Sequence, residues 1–276
     1  MDHIREVAFK AAKQAGALLR ERVGNIGNID YKGAFNIVTD VDRASEAIVV
    51  GLINEHFPND AILGEESGLH AAKSDRRWII DPLDGTTNYS HGYPFFSVSI
   101  GYEEAGEMRL GVVYNPIADE LFWAQKGKGA YLNDKAIHVS AHTRLATCLL
   151  STGFPADTAT AKFSNLAQFT KLTDMTMGVR RDGSAALDLS YVACGRTDGF
   201  WEMKLAQWDL AAGTLIVREA GGVVTNLSGG EFDITTGHVL ASNGSIHDEL
   251  IAALAFGEEL AREGGGIGSE KDVARK

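Results

Sequence analysis

Five carboxylates at three separated places in the chain have the types and settings of a single cation-binding site. Asp81 and Asp84 stand in Trp78-Ile79-Ile80-Asp81-Pro82-Leu83-Asp84-Gly85-Thr86-Thr87-Asn88, and Glu65 and Glu66 in Gly64-Glu65-Glu66-Ser67. Asp209 follows Trp208 at the head of an Ala/Gly-rich apolar run. Carboxylates gathered at strand ends repel one another unless cations lie between them, and hard oxygen donors suit Mg²⁺, Mn²⁺ or Ca²⁺. Gly85-Thr86-Thr87 adds backbone N–H groups and hydroxyls at an expected helix start, where an anion such as phosphate is favoured. Cation and phosphate signals side by side point to chemistry on a phosphate ester.

Asp81 and Asp84 are three residues apart across Pro82, whose fixed φ and missing N–H are expected to end the strand and open a turn. Both carboxylates then face one crevice beyond the strand end, the common ligand position in open α/β sheets. The Leu83 carbonyl between them is a further oxygen donor. Gly85 lets a phosphate approach the backbone, and the Gly85 and Thr86 N–H groups are unpaired donors at the helix N-terminus. Each piece also has a plainer explanation: an Asp-Pro turn, a solvated Glu65-Glu66 pair, Asp209 as a helix N-cap, Asp42 as a cap or the partner of a hydroxyl, Lys32 as a surface lysine. The joining of Gly-Thr-Thr to Asp-x-x-Asp favours the chemical alternative.

The elements that must position these groups follow from periodicity. Residues 3–22 show helical spacing of Ile4, Val7, Ala8, Ala11, Ala12, Ala15, Leu18 and Leu19. Residues 25–35 read as turns and a short hairpin, and 41–57 as a second helix with Ala44, Ala47, Ile48, Gly51 and Leu52 inward, stopped by Pro58. A short strand at 61–64 delivers Glu65 and Glu66, and a buried strand at 77–81 delivers Asp81. Residues 95–102, 108–115 and 120–125 alternate as an antiparallel meander with turns at Gly106 and Pro116. Short strands follow at 130–132 and 137–139. Beyond residue 145, strands at 147–151, 176–179, 198–202, 222–226 and 238–241 alternate with helices at 158–173, 185–194, 209–220 and 245–262. Such alternation argues for layered α/β packing. It divides the chain into an N-terminal α+β half (1–145), a C-terminal α/β half (146–263) and a flexible tail (264–276).

The chain of 276 residues is 45% hydrophobic, enough for a large core, and its net charge of −11 disfavours nucleic acid and anionic membranes. Cys148 and Cys194 lie in apolar strings and are expected to be buried, reduced thiols. No signal peptide or membrane span is visible, so a cytoplasmic location is the expectation. The eight histidines show no ligand-like clustering, and His91 is expected to serve loop structure.

From about Ala8 to Leu254 the chain resembles the inositol monophosphatase family of Mg²⁺-dependent phosphomonoesterases. The resemblance rests on the Glu65-Glu66 and Asp81–Asn88 motifs, Trp208-Asp209-Leu210-Ala211-Ala212-Gly213 and Glu219-Ala220-Gly221-Gly222. Gly183-Ser184-Ala185-Ala186-Leu187-Asp188 is closest to bacterial members. It implies an αβαβα layered sandwich, the inositol-monophosphatase-like sugar phosphatase fold, with the site between the two halves. It further implies that Glu65, Asp81 and the Leu83 carbonyl hold a first metal, that Asp81, Asp84 and Asp209 hold a second, and that a third, weaker ion sits near Glu65 and Glu66. Gly85 and Thr86 would donate N–H bonds to the phosphate. Asp42, Glu65 and Thr86 form the implied catalytic set, the Thr86–Asp42 pair polarising the attacking water, with no covalent phosphoenzyme. Gly183, Ser184, Ala185 and Glu202 would line the pocket for the alcohol portion, with Asp209 beside it. The resemblance also implies a homodimer, lithium sensitivity, Mn²⁺ as a substitute ion and Ca²⁺ as an inhibitor. Asn36 stands where the family often has aspartate, and the loop carrying Lys32 is one residue shorter.

Glu202 favours inositol 1-phosphate or a similar polyol phosphate, because the matching family residue accepts hydrogen bonds from sugar-like hydroxyls. Related enzymes use the same scaffold for fructose 1,6-bisphosphate, NADP or histidinol phosphate, and Arg180, Arg181 and Lys204 are candidates for holding a second phosphate. Aspartyl-phosphate catalysis is disfavoured, since Pro82 occupies the nucleophile's place two residues before Asp84. No serine-hydrolase elbow and no Walker loop is present. A regulatory protein-binding role on the same scaffold is the alternative of another class.

Overall fold

A computed structural model describes residues 1–25, 29–31, 37–155 and 164–262. Lys32, Asn36, the tail from 264 onward and most of the first turns expected of the helix at 158–173 lie outside the described residues. The N-terminal elements are α1 (Asp2–Arg22), β1 (Ile29–Tyr31), β2 (Ile37–Thr39), α2 (Asp40–His56), β3 (Ala61–Gly64), β4 (Gly68–His70), β5 (Arg76–Asp84) and α3 (Thr86–Ser90). There follow β6 (Ser97–Glu104), β7 (Glu107–Asn115), β8 (Glu120–Gln125), β9 (Ala130–Leu132) and β10 (Lys135–Ile137). The second half comprises β11 (Leu149–Thr152), α4 (Leu166–Met175), β12 (Gly178–Arg180), α5 (Ala185–Ala193), β13 (Gly199–Glu202), α6 (Gln207–Glu219), β14 (Val223–Thr225), β15 (Val239–Ser242) and α7 (His247–Arg262).

Among the described residues two large sheets alternate with three helical layers, and β1 and β2 form a separate antiparallel pair. The larger sheet runs β10-β9-β8-β7-β6-β5-β3-β4, antiparallel except for the parallel β3–β5 pair. The smaller runs β12-β11-β13-β15-β14. Strand parity sorts the side chains. Trp78 and Ile80 of β5, Val98, Ile100 and Tyr102 of β6, and Leu110 and Val112 of β7 join the core under α1 and α2. Val113 and Phe122 face the other way, onto α5 and α6. In the smaller sheet Phe200, Val239 and Ala241 also face α5 and α6, while Leu150, Trp201 and Leu240 face α4 and α7. The result is the expected αβαβα sandwich.

Helix α6 approaches the larger sheet closely where both are built of small residues. Ala212 of α6 lies so close to β7 that a Cβ built on Gly111 would sit 2.5 Å from the Ala212 carbonyl oxygen. Ala211 against Gly101 and Ala212 against Gly111 thus bring α6 onto the larger sheet, and with it the helix start that carries Asp209.

Three expectations need correction. The inward face of α2 is Val41, Asp42, Ser45, Glu46, Val49, Leu52 and Ile53, while Ala44, Ala47 and Gly51 are exposed. Its polar members meet hydrogen-bonding groups, Asp42 those of Thr39 and Thr86, Ser45 the Pro82 carbonyl, and Glu46 the Glu66 and Ser67 N–H groups. The strand expected to stop before Pro82 continues to Asp84 through a bulge between Asp81 and Asp84. Pro82 is tolerated because β3 has already ended its pairing at Ile80 and the bulge asks no ladder donor of it. Finally, β10 lies two residues earlier than expected, and β4 was not foreseen.

Candidate active site

Strand parity turns Asp81 away from the α1–α2 core and toward α6. Asp81 is 2% exposed, lies opposite Ser99 of β6, and accepts the Leu83 N–H at 3.0 Å. Ser99 Oγ donates to the Trp208 carbonyl at 3.3 Å, tying the sheet to the start of α6. The bulge then swings Asp84 into the same space, 8% exposed. Asp209 is not the N-cap of α6 but its third residue, and its carboxylate accepts the Ala206 N–H at 2.7 Å. One carboxylate oxygen from each of Asp81, Asp84 and Asp209 lies within 4.8 Å of the others.

Such a grouping is costly for the protein alone. Desolvation pushes Asp81 well above its ordinary range, reinforced by the charges of Glu65, Asp84 and Asp209. Desolvation takes Asp84 to about 6 against the opposing bonds from Ser184 and Ala186, and takes Asp209 to about 8 with repulsion from Asp84 next in size. An all-oxygen donor set under mutual repulsion fits a hard divalent cation. Glu65 follows the end of β3, with its N–H bonded to the Ile80 carbonyl, and its charge acts on Asp81 and Asp209.

Gly85 turns the chain with φ 95° and opens α3. A Cβ there would lie 3.0 Å from the Phe95 carbonyl and 3.2 Å from that of Gly183, so the position needs glycine for both conformation and space. Thr86 Oγ is 3.1 Å from Asp42 Oδ1 and 3.1 Å from the Leu83 carbonyl oxygen. Asp42, fully buried, also closes a capping box, accepting the Thr39 N–H at 2.8 Å and its hydroxyl at 2.5 Å. Desolvation raises the Asp42 carboxyl while these bonds from Thr39 lower it. Both explanations offered for Asp42, cap and hydroxyl partner, are therefore true at once.

Other expected residues fall differently. Glu66 lines a separate cleft of about 360 Å³ with Arg43, Glu46, Ser67 and His70. The unforeseen Glu46 holds that turn, accepting the Glu66 and Ser67 N–H groups at 2.9 and 2.8 Å. Ser184 was expected in the alcohol pocket, but it is 1% exposed and its hydroxyl donates to Asp84 Oδ2 at 2.6 Å. The Ala186 N–H donates to the same oxygen at 2.8 Å, so the start of α5, which Ala185 opens, supports Asp84. Gly183 is brought to α3 by Asn88, whose Nδ2 donates to the Phe95 and Asp182 carbonyls, both at 2.7 Å. Glu202, at the end of β13, is pushed to about 8 by desolvation, then by Asp209, with Arg181 opposing. Asn88 and Ser45, whose hydroxyl donates to the Pro82 carbonyl at 2.7 Å, were missed as supports. Spacing of Ser45 and Glu46 three and four residues after Asp42 was the available signal. Glu219 anchors a loop, accepting N–H bonds from Gly127, Lys128 and Gly129.

One histidine does join a ligand-like group: His142, Cys148 and Asp198. Its Asp198 is already engaged by Ser140 Oγ at 2.5 Å, His142 Nδ1 at 2.8 Å and the Leu149 N–H at 2.7 Å, which makes it a structural hub. Cys148 is buried there, whereas Cys194 is half-buried, contrary to expectation; both are free thiols.

The model of the inositol monophosphatase family matches residues 1–259. The chain belongs to that family. An inositol-1-monophosphatase from Synechocystis is 48% identical over 252 residues, which cover 91% of this chain and 88% of that one. The Nus factor SuhB of Pseudomonas aeruginosa is 40% identical, covering 92% and 96%. The crystal structure of the extragenic suppressor protein suhB from Bartonella henselae superposes with a TM-score of 0.88 at 43% identity, covering 91% and 98%. Inositol monophosphatase family membership makes the protein a phosphatase of a metal-dependent kind, and the Asp81–Asp84–Asp209 group is an acidic cluster able to hold a cation. Among the described residues no helix is long and apolar enough to cross a membrane.

Proposed function

We propose that the protein hydrolyses inositol 1-phosphate, or a closely similar polyol or sugar monophosphate, with Mg²⁺. The observation that carries this is the convergence of Asp81, Asp84 and Asp209 within 4.8 Å, beside the Thr86–Asp42 pair. Asp81, Asp84 and Asp209 would hold one ion, and Glu65, Asp81 and the Leu83 carbonyl another, with Glu66 near a weaker third. Bound Mg²⁺ would supply charge for the phosphoryl oxygens and leaving alkoxide and lower the pKa of water. The chain's own groups do the positioning. Asp42 takes the Thr86 hydroxyl proton as a hydrogen bond, leaving the Thr86 oxygen to orient an attacking water. The Gly85 and Thr86 N–H groups orient the phosphate, and Gly183 and Ala185 flank the alcohol side, where Glu202 accepts from its hydroxyls.

The same reading makes the protein a cytoplasmic homodimer, sensitive to lithium, with Mn²⁺ able to replace Mg²⁺ and Ca²⁺ inhibiting. Met177, exposed directly before the edge strand β12, supports a self-association surface, which sedimentation tests. The influence of Arg181 on Glu202 keeps a bisphosphate or NADP as the second substrate reading. Relatives named Nus factor favour, as a reading of another class, an added regulatory, protein-binding role.

Phosphate release from inositol 1-phosphate, fructose 1,6-bisphosphate, NADP and histidinol phosphate, each with Mg²⁺ and with EDTA, tests these readings together. Mg²⁺-dependent release led by inositol 1-phosphate is expected. Release led by another ester replaces the substrate, and none from any ester moves the binding role to first place.

A further inference from the structure

Glu202 does not stand free at the end of β13. Strands β11 and β13 pair in parallel with Thr152 opposite Trp201, so the next residues lie side by side, Gly153 just past the end of β11 and Glu202 as the last residue of β13. Glu202 folds its carboxylate onto the α-carbon of Gly153, where a built Cβ would collide with all three carboxylate atoms. Gly153 is not among the glycines with positive φ, so backbone conformation does not call for glycine here. The seated carboxylate occupies the space that a Cβ would take, so a side chain at 153 must displace it.

The seat is fixed from behind by Asn165, which is fully buried. Its Nδ2 donates to the Gly153 carbonyl and to Thr152 Oγ, both at 2.7 Å, and its Oδ1 accepts the Trp201 indole N–H at 2.6 Å. Thr152 Oγ in turn donates to the Trp201 carbonyl at 2.6 Å. One amide therefore ties the residue beneath the carboxylate to the residue preceding it in sequence. Asn165 stands at the N-cap of α4, yet its side chain makes no cap bond. The side chain serves the clamp instead. Seated this way, Glu202 feels the charges of Asp209, Arg181 and Asp84.

We propose that Gly153 and Asn165 are positioning residues for substrate selection. Gly153 provides the seat and Asn165 locks it, and together they hold the Glu202 carboxylate as a fixed acceptor for hydroxyl groups on the leaving alcohol. The proposal rests on the proposed role of Glu202. A carboxylate already immobilised loses little freedom when it binds a hydroxyl, and a site built around such a bond rejects esters lacking the hydroxyl.

The test compares kcat/KM for inositol 1-phosphate with that for p-nitrophenyl phosphate, whose leaving group has no further hydroxyl. For Gly153→Ala the ratio of the two should fall about tenfold or more, the scale of one charge-assisted hydrogen bond, chiefly through KM for inositol 1-phosphate. Glu202→Ala should show the same fall, and the double variant should be no worse than Glu202→Ala alone. An unchanged ratio in Gly153→Ala, with a fallen ratio in Glu202→Ala, overturns the seat and leaves the role of Glu202 standing. An unchanged ratio in Glu202→Ala removes that role and the seat together. Additive losses mean that Gly153 acts independently of Glu202, which also overturns the proposal. Should Gly153→Ala not fold, Glu202→Asp decides, because its carboxylate is one methylene too short to reach the seat. It must lose selectivity as Glu202→Ala does, and full retention overturns the proposal.

Discussion

Neutralising one member of the carboxylate cluster should stabilise the metal-free protein while it removes activity. Asp209 ionises at about 8 in the fold, against 3.8 for an ordinary aspartate. Between those values the unfolded chain has lost this proton and the folded chain has kept it, so the folded state binds more protons. Stability in EDTA must therefore fall as pH rises from about 4 to about 8. At about 1.4 kcal/mol per pH unit, a shift of roughly four units corresponds to roughly 5–6 kcal/mol. Asp209 is half-buried and shares its repulsion with Asp81 and Asp84, so one substitution should recover roughly half, on the order of 2–3 kcal/mol. Asp209→Asn keeps the shape and the acceptor for the Ala206 N–H. In EDTA at pH 8 its Tm should lie roughly 5–10 °C above that of the parent. The gap should narrow at pH 5, and in excess Mg²⁺ the parent should regain the lead. Calorimetry at both pH values, with and without Mg²⁺, reads all three. A parent whose metal-free Tm does not fall between pH 5 and pH 8, or a variant that melts below the parent in EDTA at pH 8, would refute the electrostatic account of the cluster.

Asp84→Asn should lower turnover by about 10²-fold or more, on the scale of losing a preorganised electrostatic contact, with the circular-dichroism spectrum unchanged. Unchanged activity would remove Asp84 from the ion-holding set. Asp42→Ala should cost both activity and about 1–2 kcal/mol of stability, since it breaks the capping box along with the Thr86 contact; urea titration at full activity loss but unchanged midpoint would contradict the dual role. Gly111→Val should destabilise by several kcal/mol, because α6 has no room to retreat from β7. A midpoint shift within about 0.5 kcal/mol in chemical denaturation would contradict that packing.

How much of this was legible in the chain depends on whether a residue's partners are near it in sequence. The Asp81–Thr86 segment is a self-contained instruction: a buried strand, a proline, two carboxylates, a glycine turn and a helix start. Its chemistry follows from spacing, and even the error of ending the strand at Pro82 left both carboxylates at the crevice. The meander and most helices were equally local, with periodicity and turn residues agreeing. The inward face of α2 was not, because Ser45 and Glu46 look like a solvated face until the groups they meet are known. Those groups come from residues 82 and 66–67, which only the tertiary fold brings to the helix. Ser184 misled for the same reason. Its place beside Ala185 suggested the alcohol pocket, but the hydroxyl is claimed by Asp84, a hundred residues earlier. Gly153 and Asn165 carried no signal at all, since a glycine under a carboxylate and a buried asparagine behind it acquire meaning only across the β11–β13 pairing. In this chain the groups proposed to meet the phosphate are written locally, while those that hold them in position are written in contacts between distant segments.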